Sequence, residues 1–181
     1  WTTRKTKKTE IPRVSVMTAA FFAASLIHVP IPPSSAHLVL SGLVGIILGR
    51  LSFISIFVGL IFQAVMFQHG GIIMLGVNAL NMGIPALIAG SIYHYFKKQL
   101  EDKPVFASSL AGIFSAFAVI LSSVFISLEL MLAGQEFATV SKTILLVNAI
   151  IGVVEGIITF FLFSIILKVK PQMVFDGKKE I

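Results

Sequence analysis

Cysteine is absent from all 181 residues, which excludes a disulfide framework and any thiolate metal centre, leaving nitrogen and oxygen as the only ligands for an ion. Charged residues make up 12% of the chain, against roughly 25% in an ordinary soluble domain. With one Trp and two Tyr, the outer face is poor in the aromatic side chains that also carry a polar group, as a larger organic ligand would need. Also missing are a glycine-rich phosphate loop carrying Lys, an H-E-x-x-H helix and a nucleophile elbow. Neither an enzyme nor a motor that burns its own ATP is therefore expected. What remains is apolar: 56% hydrophobic residues and a mean hydropathy of +0.98. A soluble core of this length cannot hide so much apolar surface, whereas a bilayer solvates it.

Breakers divide the chain into six apolar segments: Val14 to Val29, Ala36 to Gly49, Leu51 to Phe67, Ile72 to Phe96, Val105 to Leu128, and Thr143 to Leu167. A full span takes about 20 apolar residues. The last three qualify, the first and third are marginal, and the second is short. That second segment is expected to tilt, or to span partway beside a loop buried in protein. The expected fold is an all-α polytopic membrane domain over 1-181, with a basic segment at 1-13, the spans within 14-167 and a tail at 168-181.

The net charge of +6 has no basic face that would suit nucleic acid. It sits at alternate gaps: Arg4, Lys5, Lys7, Lys8 and Arg13; then Arg50; then Lys97, Lys98 and Lys103; then Lys168, Lys170, Lys178 and Lys179. The opposite gaps hold only Lys142. Under the positive-inside rule both termini are cytoplasmic, and the loops at Pro30 to Ala36, Gln68 to Gly71 and Glu129 to Ser141 face outward. The setting expected is a prokaryotic cell membrane, with lipid as a partner.

Small residues recur at helix-contact spacing in Gly45/Gly49, Ala86/Gly90 and Ser108/Gly112/Ala116, which reads as packing within the bundle. The doublet Ala19/Ala23 and Ala20/Ala24 is the longest such face and the candidate dock for a partner subunit. The absence of a long internal repeat argues weakly against an inverted-repeat secondary transporter.

Ionisable and amide side chains at membrane depth need a partner or a purpose. His37 follows Ile31-Pro32-Pro33-Ser34-Ser35-Ala36, where prolines fix the backbone and Ser34 or Ser35 is placed to cap the next helix. In that helix's first turn, the partial positive charge would favour the neutral imidazole, the form that binds a transition metal. On the residues alone two readings stand: an interfacial histidine bonded to a carbonyl, the commoner case, and a metal ligand. His69, in Gln68-His69-Gly70-Gly71, either braces a turn or binds an ion. Asn78 and Asn81 share a helix face and suit interhelical bonds or support of a ligand. Glu155, two turns after Asn148, is read equally as interhelical glue or as a proton path. His28 and His94 read as interfacial, and Glu129 and Glu136 as outer-loop residues that either attract cations or are simply solvated.

Four stretches in this order resemble the CbiM/NikM family, the substrate-specific membrane component of energy-coupling-factor importers for cobalt and nickel. They are Pro32-Pro33-Ser34-Ser35-Ala36-His37, Gln68-His69-Gly70-Gly71, Gly76-x-Asn78-x-x-Asn81-Met82-Gly83, and Glu155-Gly156-x-x-Thr159. The resemblance runs from the first segment to the sixth and implies a six-helix core. It also implies that His37 is a ligand for Ni2+ or Co2+, with His69 a weaker candidate and Ser34, Ser35, Asn78 and Asn81 in support. Implied partners are a transmembrane coupling subunit, two cytoplasmic ATPases and a small accessory membrane subunit. No organic cofactor is expected. Such proteins begin with Met-His and one further helix, which supply the other nitrogens. This sequence begins at Trp1, so a missing upstream helix is expected. Asn148 stands where the family pattern suggests histidine, and Ile150 where it suggests proline. The alternatives are a vitamin-specific component on the same core, a proton-coupled secondary transporter using Glu155, and a membrane protein of purely structural role.

Overall fold

The computed structural model describes residues 10–31, 34–68 and 70–175. Among them run six α-helices: α1 (Glu10–Ser25), α2 (Ser41–Leu48), α3 (Ser52–Phe67), α4 (Leu75–Leu100), α5 (Pro104–Ala133) and α6 (Ala138–Val169). A short antiparallel ribbon, β1 (His28–Ile31) with β2 (Ser34–His37), lies between α1 and α2. Four stretches are long and apolar enough to cross a membrane: Ser41–Phe67, Leu75–Leu100, Pro104–Ala133 and Gln135–Val169.

The first of those four is not one straight rod. Gly49 takes φ 54°, ψ −122°, and a 3-10 turn over Gly49–Leu51 separates α2 from α3. Arg50, at this turn, lines a cavity of about 350 Å³ together with Arg13 of α1 and Lys97 of α4. The Arg13 guanidinium also donates to the Met173 carbonyl beyond α6. These basic gaps therefore gather at one end of the bundle, as the charge alternation requires. The ribbon and the turn after Gln68 belong to the other end.

Eight residues make α2 about 12 Å long, well short of a span. Its Gly42 lies against Ser115 in the middle of α5, and its Gly45 against Ala86 and Gly90 of α4. A Cβ added at Gly45 or Gly90 would strike the facing backbone, so glycine there sets how closely α2 and α4 approach. At Gly112 of α5 an added Cβ would stand 2.6 Å from the Gly156 carbonyl of α6. The small-residue stripes of α2, α4 and α5 are thus consumed by packing inside the bundle. Aromatic packing closes the basic end, where Tyr93 meets Phe163 edge-on at 5.5 Å. On α1, Phe21 packs into the space left by Gly59 of α3, which turns Ala19 and Ala23 outward while Ala24 is buried.

The expected helices α4, α5 and α6 are each displaced or extended by a few residues at their ends, and the two boundaries that flank the ribbon also differ from expectation. The first helix ends at Ser25 rather than near Val29, because the chain tightens into Leu26 N–H to Ala23 and Ile27 N–H to Ala24 bonds and then extends before Pro30. The second begins at Ser41 rather than Ala36, because residues 34–37 pair with β1.

Candidate functional site

The ribbon sets His28 opposite His37, Val29 opposite Ala36, Pro30 opposite Ser35 and Ile31 opposite Ser34. His37 is therefore a strand residue, not a first-turn helix residue, and the helix-dipole argument for its neutral form does not apply. Ser34 and Ser35 are strand residues as well, and neither caps α2, whose N-cap, Leu40, has no side-chain cap. His69 lies outside the described residues.

The stretch just ahead of α2 is held instead by a side chain from elsewhere in the chain. Glu155, fully buried in α6, accepts hydrogen bonds from the Val39 N–H at 2.5 Å and the Leu40 N–H at 3.1 Å. Leu40 sits in the left-handed region at φ 53°, which for a side-chain-bearing residue costs about 1–2 kcal/mol. Two bonds to the Glu155 carboxyl oxygens, each worth at least about 0.5–1.5 kcal/mol, offset that strain. They also satisfy irregular backbone at membrane depth, where unpaired N–H groups are not tolerated. The loop leaving His37 is thereby pinned to the middle of the last helix. One turn further along α6, the Thr159 hydroxyl donates to Ser115 Oγ at 2.9 Å, tying α6 to the α5 residue that Gly42 of α2 approaches.

Asn78 and Asn81 lie near the ribbon end of α4. Asn81, 3% exposed, donates through Nδ2 to Glu129 Oε2 at 2.8 Å. Glu129 is thus a helix residue of α5, not a loop residue. The helix outlasts its apolar run because its final turns are satisfied by side chains from α4 and α6, including the reciprocal Ser127–Ser141 hydroxyl-to-carbonyl bonds at 3.3 and 3.2 Å. Asn78 borders the turn after Gln68, its Nδ2 lying 2.7 Å from where a Cβ on Gly70 would be. Asn148, half-buried, donates to the Ile144 carbonyl of its own helix at 3.0 Å, while Glu155 engages the loop.

The structure therefore joins Glu155 to the segment carrying His37, and Asn81 to Glu129. Among the described residues, no group of three or more His, Asp or Glu side chains is placed to hold a metal. His28, read from the sequence as interfacial, is the β1 residue that pairs with His37.

Comparison with known proteins agrees with this architecture. A family model described as the cobalt uptake substrate-specific transmembrane region, CbiM, matches residues 1–173. A putative metal transport protein of Haemophilus influenzae is 29% identical over 94% of this chain and 82% of its own. The cobalt transport protein CbiM of Clostridium tetani is 33% identical over 86% of this chain and 66% of its own. A putative fused nickel transport protein NikMN of Archaeoglobus fulgidus is 32% identical over 88% and 54%. A crystal structure of a truncated transition metal transporter shares the fold, with a TM-score of 0.68 at 21% identity over 91% of this chain and 84% of that one. The chain is an integral membrane protein and belongs to the CbiM family.

Proposed function

We propose that the protein is the metal-recognition subunit of an ATP-driven importer, capturing Ni2+ or Co2+ at the outer face through His37 and releasing it to the cytoplasm. The observation that carries this reading is the family match over residues 1–173. It is supported by relatives named for cobalt and nickel transport. In this reading both termini of the chain are cytoplasmic, and the ribbon with the Gln68 turn forms the mouth of the site. Imidazole nitrogen suits both ions, with selectivity set by geometry as well as affinity. Asn78, Asn81, Ser34 and Ser35 support the loop and the ligands. The exposed Ala19/Ala23 face of α1 docks a transmembrane coupling subunit, and two cytoplasmic ATPases drive reorientation.

A gradient-driven transporter working through Glu155 is less well supported, because both carboxylate oxygens already hold the loop backbone. The test is uptake of radioactive nickel or cobalt by cells expressing the full-length protein with its coupling and ATPase subunits. The proposal expects uptake that disappears when the ATPases are inactivated. Uptake that survives that change would select the gradient-driven alternative.

A further inference from the structure

The cavity at the basic end is assembled from three separate parts of the chain. Arg13 comes from α1, Arg50 from the turn between α2 and α3, and Lys97 from α4. Against these three basic side chains, Glu10 is the only acidic one lining the cavity among the described residues. Basic side chains at a membrane edge usually extend separately into water. Here the fold gathers them. The Arg13 guanidinium is held by the Met173 carbonyl. The turn carrying Arg50 is braced by His94, whose Nδ1–H donates to the Gly90 carbonyl at 2.8 Å. The same ring packs over Gly49, its Cε1 standing 3.4 Å from where a Cβ would be. A cleft lined by charge of one sign concentrates ions of the other, and a bound anion relieves the repulsion among the three side chains. Phosphate suits this set, because guanidinium pairs with it in bidentate fashion and lysine adds a point charge.

Two features favour a phospholipid over a free anion. The rest of the cavity wall includes the apolar Ile47, Leu48 and Leu51. Ser91, which also lines the cavity, shares a face of α4 with Ile88 and Tyr95. Ile88, one turn closer to the middle of the helix, is 37% exposed, and Tyr95, one turn nearer the basic end, is 80% exposed. A headgroup seated in the cavity leaves its acyl chains beside Ile88, with Tyr95 at the water-facing edge where tyrosine is enriched. Basic pockets between membrane helices are a recurrent site for anionic headgroups.

We infer that the cavity formed by Arg13, Arg50 and Lys97 binds the phosphodiester headgroup of an anionic phospholipid. The inference is independent of the metal proposed above.

The test uses the full-length protein in detergent, with dioleoylphosphatidylglycerol as the probe and native mass spectrometry counting bound lipid. The protein should retain this lipid at least tenfold more tightly than dioleoylphosphatidylcholine, whose headgroup has no net charge. The Arg50→Gln/Lys97→Gln double variant should lose at least fivefold in affinity for phosphatidylglycerol. Lys142→Gln, an exposed position in the first turns of α6 at the ribbon end, should lose nothing. Arg50→Lys, which keeps the charge, should retain most of the affinity. Should the double variant fail to fold by gel filtration, Arg50→Gln alone, at an exposed position, carries the test with a loss of at least twofold. Equal retention of the two lipids, or phosphatidylglycerol binding that survives these substitutions, would overturn the inference. Displacement of the lipid by inorganic phosphate would overturn the lipid assignment in favour of a free-phosphate site.

Discussion

Glu155 accepts the Val39 amide at 2.5 Å, joining the middle of the last helix to the loop that follows His37 across 116 residues of sequence. That contact explains how a half-length helix and a stretch of irregular chain persist inside a membrane domain. It also makes the position of the loop after the ribbon depend on α6.

Replacing Glu155 by Gln leaves one good acceptor oxygen for two N–H donors. The variant should lose about 1–3 kcal/mol, the usual cost of a buried unsatisfied donor, seen as a lower thermal midpoint in detergent. Metal capture should weaken with it, because the loop carrying His37 is released. An unchanged midpoint would show that the loop is held by something else.

Helix packing offers a paired test. Gly90→Ala places a Cβ against the Gly45 backbone and should destabilise by about 1–3 kcal/mol through overpacking. Gly76→Ala, with nothing within 4 Å of the new Cβ, should be neutral or gain up to about 1 kcal/mol from helix propensity. Thermal melts of the two proteins side by side check the contrast, and equal effects would refute it.

The Asn81–Glu129 bond links α4 to α5 at the ribbon end. A double-mutant cycle with Asn81→Ala and Glu129→Ala should give a coupling of about 0.6–1.7 kcal/mol, the range for hydrogen bonds between membrane helices. Strictly additive losses would show that the pair does not act as a unit.

Metal must displace protons from its imidazole ligands. Nickel capture should therefore strengthen from mildly acidic to neutral pH, measured by equilibrium dialysis on the purified protein. A flat profile would argue against imidazole as the donor.

Much of this architecture is legible in the sequence, and the exceptions share a cause. The bounds of α3 follow from Gly49-Arg50 on one side and the Gly70-Gly71 pair just past Gln68 on the other, both local signals. The basic gaps forecast one charged end, and Arg13, Arg50 and Lys97 gather there. The ribbon escaped because its strands are only four residues long and flank the Pro32-Pro33 pair, a composition that reads as loop. The extra turns of α5 lie beyond its apolar run, held by bonds to α4 and α6 that apolarity does not record. The role of Glu155 was least visible, since a carboxylate that caps backbone N–H groups leaves no complementary side chain to find.

The most direct measurement is the nickel or cobalt affinity of the purified full-length protein, compared with that of His37→Ala, with gel-filtration profiles checking that both are folded. One tightly held ion in the wild type, and affinity at least a hundredfold weaker in the variant, is the expected result. Equal metal retention by a folded His37→Ala protein would contradict recognition of the ion at this ribbon.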